Sequence, residues 1–255
     1  MPNDRTLTKA RRIVAAIAAA MFATAMVPAG GLAQTQNAPD NQPASPPEAG
    51  AVYKPPLRGA PGGRVGGASR GANPTAIALP TIELVAPLDH TGETAEPAPT
   101  LYFFVSQRVA LPTQFTISAP LRPTPILEAT FASPPARGLY PLRLADYHVQ
   151  LEPGVVYTWS VSAIVDQRRW SRNVVASATI LRVPSDPSTG AALSGAAPAR
   201  RAALLAGAGL WYDAVAAAAE AQNLDRHAAL DQLLTAVGLV EPANADRATA
   251  GGARQ

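Results

Sequence analysis

Between residues 81 and 183 the chain alternates seven short runs of β-formers with turn residues, and after residue 198 its apolar spacing becomes helical. These two patterns, with a long Pro/Gly-rich stretch ahead of them, predict a mainly β chain. The expected architecture is an antiparallel β-sandwich followed by a small C-terminal helical hairpin.

Residues 1–33 read as a secretory signal. Arg5, Lys9, Arg11 and Arg12 precede an uncharged run over 13–27, shorter than the roughly 20 apolar residues of a transmembrane helix. Gly31 and Ala33 supply small side chains three residues and one residue before a peptidase cut. The mature chain is therefore expected to begin at Gln34, in the periplasm or outside the cell, with no stable membrane span; an uncleaved anchor is the alternative. This segment holds four of the 21 Lys and Arg and one of the 18 Asp and Glu, so the remainder carries 17 of each. The basic balance belongs to the export signal, and no electrostatic case for nucleic acid survives its removal. The absence of cysteine excludes disulfides, thiolate nucleophiles, Cys-based metal sites and a lipoprotein anchor.

Residues 34–80 contain few large apolar side chains among many Pro, Gly, Ala, Ser and Asn. Such a composition buries too little surface to offset ordering entropy, and it predicts a disordered tether. Within it, Arg64-Val65-Gly66-Gly67-Ala68-Ser69-Arg70-Gly71 lacks the Lys-Ser/Thr end of a phosphate loop and the strand and helix of a dinucleotide fingerprint. A plain linker and a partner-docking segment both fit, with Arg64 and Arg70 as candidate contacts.

The seven expected strands cover 81–86, 100–107, 114–119, 126–131, 138–144, 155–165 and 174–183. The clearest alternation sets Tyr157, Trp159, Val161 and Ala163 against Thr158, Ser160 and Ser162, giving one buried and one wet face. Just before it, Leu151-Glu152-Pro153-Gly154 resembles the Leu-x-Pro turn of fibronectin type III domains. There a tyrosine hydrogen-bonds back to upstream backbone as a tyrosine corner. The resemblance implies a fibronectin type III or immunoglobulin-like sandwich, with Tyr157 structural and Trp159 in the core.

Residues 184–197 read as a second linker. Pro198 suits a helix start, and Leu210, Trp211, Ala214, Val215 and Ala218 recur at helical spacing, as do Leu230, Leu233, Leu234 and Val237. Asp225 is the expected N-cap and Gly238 the stop. Two or three short helices over 198–240 expose too many apolar side chains to stand free, so the hairpin is expected to dock on the sandwich or on a second copy. Residues 241–255 read as a disordered tail.

Four segments taken in order resemble one family: the Gly/Arg segment, Pro99-Thr100-Leu101-Tyr102-Phe103-Phe104-Val105, the turn and strand from Leu151 to Val161, and Gly209-Leu210-Trp211-Tyr212-Asp213-Ala214. Together they resemble the bacterial domain of unknown function 928 over most of residues 55–240, and the last segment is the most specific. The resemblance implies an exported envelope protein and supplies no activity and no catalytic residues.

No constellation for catalysis stands out. His90, His148 and His227 lie in different segments, the serines lack a nucleophile elbow, and Asp146 and Glu152 have no visible partner. Asp89-His90 in the first interstrand loop is a weaker candidate site, and it supplies two of the three or more groups that metal or acid/base chemistry needs. The loop Asp166-Gln167-Arg168-Arg169-Trp170-Ser171-Arg172 is the main candidate. Arg and Trp dominate binding hot spots, and Trp170 suits a sugar ring while Arg168, Arg169 and Arg172 suit carboxylates; a solvated hairpin tip is the plain alternative. These features predict a periplasmic or cell-envelope accessory protein acting as a non-catalytic protein-interaction module without a cofactor. The alternatives are a carbohydrate- or peptidoglycan-binding module and, third, an envelope hydrolase.

Overall fold

The computed structural model describes residues 50–56, 62–65, 79–221 and 223–252. The export signal, its cleavage point and Arg70 lie outside these residues, and most of the tether does too. Nine strands and five helices follow in order: β1 (Arg64–Val65), β2 (Ile82–Leu84), β3 (Gly92–Thr94), β4 (Thr100–Val105), β5 (Thr113–Ser118), β6 (Leu127–Phe131), β7 (Gly138–Arg143), β8 (Val156–Ala163), β9 (Val174–Arg182), α1 (Pro187–Leu193), α2 (Pro198–Gly207), α3 (Trp211–Glu220), α4 (Asn223–Ala236) and α5 (Val240–Gly252).

Each of the seven runs of β-formers holds a strand, and two short strands join them that carry no such pattern. One sheet runs β2-β4-β7, antiparallel throughout. The other runs β1-β9-β8-β5-β6 in antiparallel order, with β3 added parallel to β9. Period-two burial is regular in β5, where Thr113, Phe115 and Ile117 are buried and the residues between them are half-exposed. Phe115, Ile117, Trp159, Val161, Ala176 and Ile180 from the larger sheet meet Ile82, Leu84, Leu101, Phe103 and Leu142 from the smaller in one apolar core. On the opposite face of β8 Thr158 is exposed and Ser160 half-buried, but Ser162 is buried, so the alternation holds only over the first part of the strand.

The helical part is larger than a hairpin, because five helices follow β9. α1 lies in the segment read as a linker. Its N-cap Asp186 accepts from the Ser188 and Thr189 N–H groups with Pro187 in the first turn, a capping signal that outweighs a poor apolar pattern. The Ser188 hydroxyl, followed by the N–H and hydroxyl of Thr189 and the Ser188 N–H, pulls the Asp186 carboxyl down to about 2. α5 occupies most of the segment read as a tail, and Arg137 beside β7 binds its Glu241 at 2.8 Å. Asp225 falls inside α4 rather than at its cap. Gly238 does end that helix in a left-handed conformation (φ 71°), with Leu239 N–H returning to the Leu234 carbonyl at 2.8 Å. Trp211, Val215, Leu230, Leu233 and Leu234 enter the same core as the strands, so the helices dock on the sheets. Among the described residues no helix is long and apolar enough to cross a membrane.

Candidate functional site

β8 and β9 hold the Arg/Trp loop at one end of the larger sheet, and two side chains fix its backbone. Asn173 Oδ1 accepts from the N–H groups of Val165 (2.9 Å) and Asp166 (3.0 Å). Asp166 Oδ1 in turn accepts from the N–H groups of Arg168 (2.8 Å) and Arg169 (3.2 Å). The first of these bonds is the main reason that the Asp166 carboxyl lies below its ordinary range, with Arg169 and Arg172 adding to it. Arg172 approaches Asp166 at 3.8 Å. The side chains of Arg168 and Arg169 are exposed and make no ion pair among the described residues. Trp170 opens a 3₁₀ turn and is 63% exposed, and the partly exposed Val165 and Val175 flank the same end. Asn173 Nδ2 is buried without a partner among the described residues. The loop thus presents an exposed indole and the exposed guanidinium groups of Arg168 and Arg169 on a backbone already held in place.

The weaker candidates have other surroundings. Asp89 Oδ1 accepts from His90 Nδ1 at 2.8 Å, which leaves His90 Nε2 to accept from the Tyr53 hydroxyl at 2.8 Å. The Tyr53 and His90 rings stack at 5.8 Å, and Tyr53 meets Trp211 edge-on at 4.9 Å. Burial raises the Tyr53 phenol well above its ordinary value, with Glu93 and Asp89 adding to the shift. The chain of groups runs from an exposed carboxylate to a buried phenol. Lys54 N–H donates to the Ala206 carbonyl at 3.0 Å, so these contacts pin residues 50–56 onto the helices. Glu93 acts on His90 only through its charge, and among the described residues no second carboxylate hydrogen-bonds to the imidazole; a phenol takes that place, and nothing in the sequence pairs it with a histidine 37 residues away.

Arg64 is also a tie. Its guanidinium reaches Glu83 Oε2 at 3.5 Å and donates to the Val237 carbonyl at 3.1 Å, just past the end of α4, where helix carbonyls lack partners. Burial lowers its pKa against the opposing effect of Glu83. Arg70 lies outside the described residues.

Gly209-Leu210-Trp211-Tyr212-Asp213-Ala214 is where α3 enters the sheets. Trp211 Nε1 donates to the Val85 carbonyl (3.0 Å), and the Tyr212 hydroxyl donates to the Thr179 carbonyl (2.9 Å) while accepting from Trp159 Nε1 (3.0 Å). Asp213 accepts from the Thr94 hydroxyl and from the Ala95 N–H, the latter at 2.7 Å. Burial pushes the Asp213 carboxyl up to about 6 despite these donors. Gly92 allows the approach, because a Cβ there would lie 2.7 Å from the Tyr212 ring. At the far end of β8 the Tyr157 hydroxyl accepts from the Glu152 N–H at 3.1 Å, the backward bond of a tyrosine corner. The sequence marks Tyr157 by its turn; it gives no sign of Asp213 as a buried, near-neutral titrating group, since the residue reads as an ordinary first-turn acid.

The family model described as Domain of Unknown Function (DUF928) matches residues 65–247. No curated protein matches the chain, and no solved structure does.

Proposed function

We propose, for a chain that belongs to the DUF928 family, an accessory role in the periplasm or cell envelope, exercised by binding an acidic partner protein and not by catalysis. The sheets are read here as a fibronectin type III-like sandwich. Two features support this: the pairing of β2-β4-β7 against β9-β8-β5-β6, and the Tyr157 corner. Domains of this kind present loops at their ends on a rigid frame, which suits recognition.

The observation that carries the reading is the loop of Arg168, Arg169, Trp170 and Arg172, with its exposed indole and its backbone fixed by Asp166 and Asn173. Pre-organisation lowers the entropy lost on binding, and Trp with Arg is the composition of interface hot spots. Three arginines within five residues act on a partner that touches them, because screening cuts their field beyond about 8 Å in physiological salt. A cell-wall glycan stacking on Trp170 is the second reading, favoured by the 63% exposure of that side chain.

The test is capture from envelope extract with two variants. Changing Arg168, Arg169 and Arg172 together to Ser should weaken retention and flatten its salt dependence; Trp170→Ala should weaken retention at every salt concentration. Equal capture by both folded variants and the parent would remove the loop from consideration.

A further inference from the structure

β5 pairs with β8 from Thr113 opposite Ala163 to Ser118 opposite Thr158, so the β5–β6 turn lies at the end of the sheet away from the 166–172 loop. There it meets the segment that leads into β8, and the two enclose a concavity of about 450 Å³, within the size range of small-ligand sites. Ile126, Val149 and Val155 supply apolar surface, and Arg122, His148, Gln150 and Glu152 bring polar side chains to it. None of these four side chains has a hydrogen-bond or ion-pair partner among the described residues.

The backbone at the rim is under local strain. Leu121 (φ 61°) and His148 (φ 55°) are the non-glycine residues in the left-handed region among those described; His148 lines this concavity, and Leu121 stands in the chain between its lining residues Pro120 and Arg122. Leu121 occupies the third position of a turn with Pro120 before it, where glycine or asparagine ordinarily sits. It is also fully exposed. An apolar side chain held in water on a strained turn is poor for folding, and strain of this kind gathers at ligand clamps.

We propose that this concavity binds a short acidic saccharide. Its chemistry favours that class over a simple anion or an apolar molecule. The guanidinium of Arg122, which lines the concavity together with His148, suits a carboxylate. The flat amide and carboxylate of Gln150 and Glu152 supply donors and acceptors for ring hydroxyls. A sugar's C–H face would rest on Ile126, Val149 and Val155. The site is independent of the Arg/Trp loop, and either can fail without the other.

The experiment is an amide NMR titration of the chain with four probes: the N-acetylglucosamine–N-acetylmuramic acid disaccharide, digalacturonic acid, chitobiose and acetate. At least one acidic disaccharide should shift amides of residues 119–126 and 148–155 saturably, and the one that does so identifies the source of the sugar. Chitobiose should bind at least tenfold more weakly, and acetate should not saturate over the same range. Arg122→Gln should lower affinity at least tenfold. Glu152→Gln, which keeps the backbone N–H that serves Tyr157, is the second variant and should lower it severalfold. The proposal is overturned by the absence of saturable shifts with both acidic disaccharides, by acetate binding as well as they do, or by unchanged affinity in the two variants.

Discussion

Replacing Asp213 with Asn should change how stability depends on pH, and the size of the change follows from the burial of that carboxyl. Its pKa rises from 3.8 to about 6, chiefly by burial, so folding favours the protonated form. Such a group adds stability that is fully present below about pH 4 and lost as pH rises through about 6. Two pKa units at 1.36 kcal/mol each give about 3 kcal/mol between those limits. Asn keeps a carbonyl oxygen for one of the two donors, the Thr94 hydroxyl or the Ala95 N–H, much as the protonated acid does. The variant should therefore match the parent near pH 4 and exceed it by about 2–3 kcal/mol at pH 7.5. Urea unfolding followed by tryptophan fluorescence at intervals from pH 4 to 7.5 measures the difference directly, since Trp159 and Trp211 are buried. A constant difference between the two proteins across that range, or a variant weaker than the parent at pH 7.5, would refute the reasoning; the carboxylate would then be stabilised by its two donors more than burial opposes it.

Two further substitutions probe the frame. Tyr157→Phe removes the acceptor of the Glu152 N–H and should cost about 1 kcal/mol, lowering the melting temperature by about 2–4 °C for an ordered unit of this size; an unchanged melting temperature would mean that the corner bond contributes nothing. Gly92→Ala forces a Cβ against the Tyr212 ring and should destabilise by about 1–3 kcal/mol through overpacking. The loss should appear with an altered environment for Trp159, whose Nε1 donates to Tyr212; full stability together with an unchanged fluorescence spectrum would show that the ring moves aside at no cost.

The β region was legible because period-two alternation is a local property. Phe115, Ile117, Trp159 and Val161 face inward for reasons visible within their own runs, and the Leu151-Glu152-Pro153-Gly154 turn marks Tyr157 five residues from its partner Glu152. β3 was not legible. Gly92-Glu93-Thr94 has no strand pattern, and it is extended because β9 offers an edge beside it. α1 was hidden by composition, although Asp186-Pro187 carried its capping signal. α5 has a weak apolar pattern and is positioned chiefly by packing and ion pairs against α4, with a smaller contact to β7.

The sites divide along the same line. The sequence alone determined the exposed Arg/Trp hairpin, because a polar run between two strong strands must lie at a sheet end. It also determined the stop at Gly238 and the family to which the chain belongs. Tertiary structure alone decided what Asp89-His90, Arg64 and Asp213 are for. Tyr53 meets His90 across 37 residues, Arg64 meets Val237 across 173, and Asp213 meets Thr94 across 119. Likewise, only the folded chain brings Arg122 to the same concavity as His148 and Glu152. Periodicity fixes which face of an element is buried, but it carries no information about which distant polar group shares that burial. That choice falls to strand register and to the packing of α3 against the sheets, and it sets the charge state of Asp213.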